Sequence, residues 1–378
     1  MKAQKNNPLI SITKSSFVDL PTPRNISYIW NIGSLLGVIL ITQIITGLMI
    51  SIHYTANTSI AFESTVHIIR DINQGWILRN IHINGASAFF ILIYIHISRG
   101  IIFSSFIKKE TWLSGTTIIL TLMATAFIGY VLPWGQISFW GATVITNLAS
   151  AIPVVGPEVV KWLWGGFSVS NATLNRFFSL HFLLPFIIAA LSIVHLITLH
   201  QYISSNPLGV FKKKDMIKFH PFFSWKDLSP SIILISCLIT ISSIAPTILG
   251  DPENFNIANP LVTPVHIQPE WYFLFAYAIL RGIPNKLGGV VALLIRILII
   301  ATFSSKRKNK ASSKFNPQIK IKFWCIAASF IILTWLGANP VEEPFERIRK
   351  ITRVTYFASI IIIYSKKVCL ENKPKTDV

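Results

Sequence analysis

Eight apolar runs of about twenty residues constrain this chain more than any other feature of its sequence. An α-helix of that length crosses the hydrocarbon core of a bilayer, because each residue adds about 1.5 Å along the axis. Charged residues make up only 13% of the chain, about half of their usual share in soluble domains. The sequence therefore predicts an all-α membrane protein with eight transmembrane helices. The predicted spans are 30–52, 76–103, 112–132, 174–201, 229–246, 287–304, 321–339 and 348–365.

Lys and Arg residues are divided unevenly between the two sets of segments that connect these spans. One set consists of the N-terminus, the second, fourth and sixth connections and the C-terminal tail. It holds more than twice as many Lys and Arg residues as the other connections together. Basic residues collect on the side of a membrane that is not translocated, so we expect both termini on the matrix or cytoplasmic side. Topology and contact with anionic membrane lipids explain the net charge of +19. No nucleic-acid-binding motif accompanies the charge, and nucleic acid is not an expected partner.

Four histidines occupy two of the predicted spans at one repeated spacing. His82 and His96 are fourteen residues apart in the second span, and His181 and His195 are fourteen apart in the fourth. Fourteen residues make about 3.9 helical turns, so each pair lies on one helix face, about 21 Å apart along the axis. Both spans follow a connection on the same side of the membrane and run in the same direction. The two helices therefore offer two facing imidazole pairs at two depths.

Ligation of two haem irons is the role that best explains these pairs. Ionisable side chains are costly inside a bilayer and usually have a specific function. An imidazole can bind iron through one nitrogen while the other nitrogen donates a hydrogen bond. Zinc or copper would need its ligands clustered at one depth. We expect two b-type haems, bound non-covalently because the chain has no CxxCH motif.

A different class of protein would also place histidines inside the membrane. A cofactor-free transporter or channel could use them to relay protons, and other polar residues would then line the path between them. The residues between His82 and His96 are mostly apolar and aromatic. That composition suits a porphyrin better than a chain of water molecules.

Glycines in the neighbouring spans repeat the same period. Gly33 and Gly47 are fourteen residues apart in the first span, and Gly115 and Gly129 are fourteen apart in the third. Glycine allows a flat macrocycle to approach the helix backbone closely, which would make these positions part of the cofactor sites. Ordinary packing of membrane helices through small residues is the alternative.

Two arginines flank the histidines of the second span. Arg79 precedes His82 and Arg99 follows His96, so each would lie near one membrane face. A haem propionate could pair with each guanidinium there. The alternative is that both side chains extend to the interface, as long basic side chains often do.

Five further stretches of the sequence carry a family resemblance. They are LPTPRNISYIWNIGSLLG (20–37), GYVLPWGQISFWGATVITNL (129–148), GGFSVSNATLNRFFSLHFLLPF (165–186), PVHIQPEWYFLFAYAILR (264–281) and GANPVEEPF (337–345). With the four spaced histidines and Pro-Glu-Trp-Tyr at 269–272, they resemble the mitochondrial cytochrome b family over nearly the whole chain. The resemblance implies a haem-binding four-helix bundle in residues 1–208 and four further spans in residues 209–378.

The resemblance also implies an activity within ubiquinol–cytochrome c reductase, the respiratory complex III of the mitochondrial inner membrane. His82 and His181 would hold a low-potential haem near the outer face, and His96 and His195 a high-potential haem near the matrix face. In the Q cycle, ubiquinol oxidised outside and quinone reduced inside together generate a proton gradient. The implied partners are a Rieske iron–sulfur protein, cytochrome c1, accessory subunits and a second copy of the complex. The photosynthetic relative divides its spans between two shorter chains, so eight spans in one chain favour the respiratory type.

Two quinone sites follow from the same resemblance. Glu270 is expected to accept a quinol proton, because a carboxylate beside lipid can have a raised pKa, with Tyr130 and Tyr277 as its catalytic neighbours. Its alternative role is to supply negative charge at a helix N-terminus. The outer site comprises Phe127, Tyr130, Gly141, Val144, Ile145, Pro269, Glu270, Phe273 and Tyr277.

The inner quinone site is expected at the opposite face. It comprises His200, Ser204, Lys226 and Asp227. There a histidine and an aspartate could hydrogen-bond and protonate a bound quinone, and a solvated pair at the interface is the alternative.

Four positions depart from the pattern that is common in the family. Gln201 stands where many relatives have Glu, Gln268 replaces a frequent Lys, Ser170 a frequent Asp and Ser98 a frequent Gly. Gln201 is next to the expected inner quinone site and could alter proton delivery there. None of the four is an expected iron ligand.

Overall fold

The structure, a computed structural model, describes residues 7–210, 213–304 and 312–371. Within these ranges the chain forms thirteen α-helices and one small sheet. The helices are α1 Pro8–Thr13, α2 Ile32–Ser51, α3 Ala61–Arg70, α4 Gly75–Ile102, α5 Lys109–Val131, α6 Gln136–Asn147, α7 Gly156–Trp164, α8 Asn171–Tyr202, α9 Phe222–Ile244, α10 Leu274–Arg281, α11 Lys286–Thr302, α12 Pro317–Gly337 and α13 Phe345–Glu371.

Six of these helices are long and apolar enough to cross a membrane, namely α2, α4, α5, α8, α9 and α12. They coincide with six of the predicted spans, which confirms the all-α membrane class. The sixth and eighth predicted spans coincide with α11, of 17 residues, and α13, of 27 residues. The count of eight transmembrane helices stays a prediction.

Local sequence signals explain where several of the helices begin. The Asn316 side chain accepts hydrogen bonds from the backbone amides of Gln318 and Ile319, and proline follows it at the first position of α12. At the start of α8, the backbone amide of Ser170 donates to Thr173 Oγ1 at 3.1 Å. Ser170 is one of the departures from the family pattern, and serine serves as well as aspartate at such a position.

The long helices form two groups. In the first half, α2 packs on α4 and α5 packs on α8, around a core that contains Ile39, Phe90 and Ile188. In the second half, α10, α12 and α13 enclose Phe275 and Leu336. Outer faces carry exposed apolar side chains, as expected for surfaces that contact lipid or other subunits.

A short sheet joins the N-terminal segment to the connection before α9. Strand β1 (Pro21–Pro23) pairs antiparallel with β2 (Met216–Lys218). Beside it, the Asn31 side-chain amide donates to the backbone carbonyl of Lys226 at 2.7 Å. The starts of α2 and α9 are therefore held together on the basic side of the molecule.

Candidate functional site

The four histidines form two facing pairs. The ring centroids of His82 and His181 are 6.1 Å apart, and those of His96 and His195 are 6.3 Å apart. Each pair joins α4 to α8, as the sequence predicted. A bond between a metal ion and an imidazole nitrogen is about 2 Å long, so one ion fits between the rings of each pair.

Hydrogen bonds at Nδ1 orient three of the four imidazoles. His82 Nδ1 lies 2.9 Å from Thr46 Oγ1, and His195 Nδ1 lies 3.0 Å from Ser114 Oγ. Both hydroxyls already donate to carbonyls of their own helices, so they accept from the imidazole N–H. His181 Nδ1 donates to the Thr125 carbonyl at 2.9 Å. In these three rings Nε2 keeps its lone pair and can bind a metal.

The fourth imidazole has a different partner. Arg99 Nη2 donates to His96 Nδ1 at 3.3 Å, while Arg99 Nε is buried without a hydrogen-bond partner. An anionic group would satisfy this guanidinium and release the ring nitrogen of His96. The carboxylates of a haem are groups of that kind, so the arrangement fits the predicted cofactor.

Each of the four periodic glycines lies against one histidine. A Cβ atom added to Gly47 would lie 3.0 Å from His82 Cε1, and one added to Gly115 would lie 3.2 Å from His195 Cε1. Gly33 faces His96 at 3.6 Å, and Gly129 faces His181 more closely than the other three. The glycines therefore leave room for the imidazoles, which is a more direct role than the approach of a macrocycle to the backbone.

A cavity between α2, α4, α5 and α8 contains the His82–His181 pair. Aliphatic and aromatic side chains make up most of its lining, among them Ile44, Phe90 and Phe182. Arg79 also lines it, so a cofactor carboxylate at this level would have a basic partner. An apolar cavity with two inward imidazoles and an arginine at its rim suits a haem.

Comparison with known families and structures agrees with this geometry. Residues 17–203 match the family described as Cytochrome b/b6/petB, and residues 257–357 match Cytochrome b(C-terminal)/b6/petD. The chain belongs to the cytochrome b family. It is also similar to a chain of a solved hyperthermophilic respiratory Complex III, with 29% identity, 98% of each chain covered and a TM-score of 0.90. Family membership implies a b-type haem in a multi-pass membrane protein.

In this cytochrome b, the Pro-Glu-Trp-Tyr segment is anchored on α4. Trp271 Nε1 donates to Ser87 Oγ at 3.1 Å, and the Tyr94 hydroxyl donates to the Tyr272 carbonyl at 2.6 Å. The Tyr272 ring stacks on Phe90, with centroids 4.1 Å apart and planes 2° from parallel. These contacts hold the preceding residue, Glu270, at the wall of the histidine cavity.

Glu270 has an unusual environment for a carboxylate. Its side chain is 8% exposed, and Oε1 is buried without a hydrogen-bond partner. The Tyr130 hydroxyl lies beside it, also buried and unpaired, and Arg79 is close to both. Burial raises the pKa of Glu270 to about 7, although Tyr130 and Arg79 oppose that shift. A carboxyl group with this pKa can accept and release a proton near neutral pH.

Glu270, Tyr130 and Arg79 also line a second, more polar cavity. Its walls include Asn84 and Asp251, which the sequence analysis did not single out. Together with Thr65, Ile83 and Pro133, which also line both cavities, these side chains form a partition between the apolar histidine cavity and a polar space toward the connection before α10. Glu270 therefore borders both cavities.

The other predicted outer-site residues lie in different surroundings. The Phe127 ring is 6.1 Å from that of Phe177, and a Cβ atom at Gly141 would meet nothing within 4 Å. The Phe273 ring is 5.4 Å from that of Phe90, and the Tyr277 hydroxyl donates to the Ile267 carbonyl at 2.8 Å. Half-buried side chains occupy the remaining positions, Val144, Ile145 and Pro269. Assembly of all nine around one quinol stays a prediction.

The predicted inner-site residues form two separately anchored pairs. Lys226 Nζ donates to the Ile26 carbonyl, and Asp227 lies beside Ser34 at the start of α2. His200 and Ser204 lie at the end of α8, and in the described part of the chain no hydrogen bond joins them to Lys226 or Asp227. A joint contact of the two pairs with quinone stays a prediction.

Sequence reasoning missed the groups that orient the imidazoles. Thr46 and Ser114 each directly precede one of the periodic glycines, Gly47 and Gly115. A serine or threonine directly before a glycine that repeats at the fourteen-residue spacing of the histidines was therefore a usable signal. Nothing comparable in the sequence pointed to the Thr125 carbonyl, because every residue has one.

Proposed function

We propose that this chain is the two-haem subunit of a ubiquinol–cytochrome c reductase, oxidising quinol at one membrane face and reducing quinone at the other. The observation that carries the proposal is the presence of two facing imidazole pairs, in which hydrogen bonds at Nδ1 of His82, His181 and His195 leave Nε2 able to bind a metal. Membership of the cytochrome b family and similarity to the respiratory Complex III chain support it.

His82 and His181 hold the low-potential haem in this proposal, and His96 and His195 hold the high-potential haem. Bound at these positions, the two haems supply one-electron transfer across the membrane between the quinone sites. Thr46, Ser114 and the Thr125 carbonyl keep the metal-binding nitrogens deprotonated and aimed into the bundle. Arg79 and Arg99 pair with cofactor carboxylates.

At the outer site, Glu270 accepts a proton from ubiquinol. Its raised pKa makes it a base of suitable strength near pH 7, and the apolar cavity excludes water on the side of the histidines. The adjacent polar cavity, which Asp251 and Asn84 line, offers the proton a route away from the site. Tyr130 and Tyr277 orient the substrate, with the other outer-site residues forming its walls.

At the inner site, His200 and Asp227 hydrogen-bond a quinone and supply protons to it. Ser204 and Lys226 complete the set, and the basic side of the molecule on which they lie faces the matrix. Uptake of protons at this face and their release at the other generate the gradient.

The subunit works within an assembly. It requires a Rieske iron–sulfur protein to take one electron from each quinol and cytochrome c1 to pass that electron on. Accessory subunits, membrane lipids and a second copy of the complex are further expected partners. The proposed location is the mitochondrial inner membrane, with both termini in the matrix.

A reduced-minus-oxidised visible spectrum of the purified assembly, combined with a redox titration and a pyridine haemochrome count, tests the proposal. Two b-type haems per chain that titrate at separate potentials are expected. A single haem, or none, would exclude the assignment of the two histidine pairs and would favour a proton relay.

A further inference from the structure

A cluster of side-chain contacts joins the start of α5 to the end of α8. Ser105 Oγ and Ser205 Oγ are 2.9 Å apart. Lys108 Nζ donates to the backbone carbonyl of Ile203, and the Tyr202 hydroxyl donates to Glu110 Oε2. The three contacts join residues 105–110 to residues 202–205. We name this set of contacts the α5–α8 clamp.

The central contact of this clamp is made to a residue with a strained backbone. Ile203 has φ +57° and ψ 154°, a combination that is open to glycine but unfavourable for a β-branched residue. Such a conformation persists only where the surrounding structure enforces it. Lys108 supplies that constraint, because its side chain holds the carbonyl of Ile203 itself.

The strained residue lies between two residues of the proposed inner quinone site, His200 and Ser204. Ile203 ends α8, its amide donates to the His200 carbonyl at 3.4 Å, and Ser204 follows it. The torsion angles of Ile203 therefore set the direction in which Ser204 leaves the helix, and with it the distance between Ser204 and His200. None of the groups in the clamp is among the residues expected to contact quinone.

We propose that Lys108 is a positioning residue for the inner quinone site, acting through Ile203 with support from Ser105 and Glu110. This inference rests on the proposed function of His200 and Ser204. In its charged form, a lysine at the carboxyl end of α8 also complements the negative end of the helix dipole. The clamp holds the quinone-binding groups in place without touching the substrate.

A set of variants in the assembled complex separates positioning from a general structural role. Lys108→Met removes the donor, Lys108→Arg keeps one, and Lys109→Met is the matched control, since the Lys109 side chain is exposed. Ile203→Gly relieves the strain at the clamped residue. The readout is reduction of the His96–His195 haem by decylubiquinol, together with haem content per chain. Every variant is measured in a Glu270→Gln background, so that the outer site contributes little to this reduction.

We expect Lys108→Met to raise the KM for decylubiquinol at least tenfold with two haems retained, and Lys108→Arg and Lys109→Met to stay within twofold of the wild type. In an Ile203→Gly background, Lys108→Met should raise KM less than threefold, because glycine adopts this backbone without strain. Should Lys108→Met fail to assemble, Ser105→Ala provides the same comparison with a smaller effect.

An unchanged KM in Lys108→Met, or the same rise in both backgrounds, would overturn the positioning role. Failure of the proposed function itself would be recognised separately, because the wild-type complex would then show no haem reduction through this site.

Discussion

The hydroxyl of Thr46 accepts a hydrogen bond from Nδ1 of His82 across 2.9 Å, and gives its own proton to the Thr42 carbonyl at 2.8 Å. The chain of bonds runs from the backbone of α2 to an imidazole on α4. It leaves Nε2 of His82 unprotonated, which is the form that binds a metal.

Replacement of Thr46 by valine should therefore weaken the site at His82 without disturbing the shape of α2. Loss of such a supporting hydrogen bond typically costs about 10- to 100-fold in metal affinity. We expect Thr46→Val to lose in part the haem proposed at His82 and His181, or to shift its midpoint potential, in a redox titration. Thr42→Val, one turn earlier on the same helix, keeps the backbone carbonyl and should titrate as the wild type does.

The close approach of Gly129 to His181 leads to a prediction about haem content. A methyl group at this position would collide with the imidazole, so Gly129→Ala should displace His181 and reduce the haem count toward one per chain. Gly37→Ala is the matched control, since a Cβ atom there meets nothing within 4 Å in the same bundle. The measurement is a pyridine haemochrome count. Two haems in Gly129→Ala would contradict the assigned role of the glycine.

Glu270 should impose a pH dependence on quinol oxidation. Burial favours the protonated carboxyl, so the group carries a proton below about pH 7 and becomes an effective base only above it. The rate should rise between pH 6 and pH 8, roughly one unit on either side of that pKa. Glu270→Gln should lower the rate by about a hundredfold and flatten the profile. Glu253, an exposed carboxylate between α9 and α10, provides the control, as Glu253→Gln should keep the wild-type profile.

Membrane orientation can be tested by cysteine labelling. Val154 is 96% exposed in the connection between α6 and α7, and Lys214 is exposed on the basic side of the molecule. After the three native cysteines are replaced by serine, a membrane-impermeant thiol reagent should label Val154→Cys in sealed membranes that expose the proposed outer face. Lys214→Cys should react only after permeabilisation. The reverse pattern would invert the predicted topology.

Several features of the candidate site were predictable because they depend on local periodicity. Fourteen residues bring two side chains to one helix face in any α-helix, so the pairing of His82 with His181 and of His96 with His195 followed from spacing and span direction. The partners of Nδ1 were not predictable in the same way. Thr46 and His82 are 36 residues apart, and Ser114 and His195 are 81 apart, so only the packing of helices decides that they meet.

The environment of Glu270 shows the same limit. Resemblance to a family marked the Pro-Glu-Trp-Tyr segment, but the anchoring of that segment depends on a bond from Tyr94 to Tyr272 across 178 residues. The partition that Glu270, Tyr130 and Arg79 form between two cavities likewise combines three distant parts of the chain. The sequence pattern around any one of these three residues does not predict that they meet.

The sequence by itself determined that this chain is a helical membrane protein with two imidazole pairs at two depths, because hydropathy and helical period act along the chain. Tertiary structure alone decided which hydroxyl orients which imidazole, how deeply Glu270 is buried, and that Lys108 holds the strained carbonyl of Ile203. These features arise between segments that are far apart in sequence. Their geometry depends on how whole helices pack, and a difference of one ångström determines whether a hydrogen bond forms.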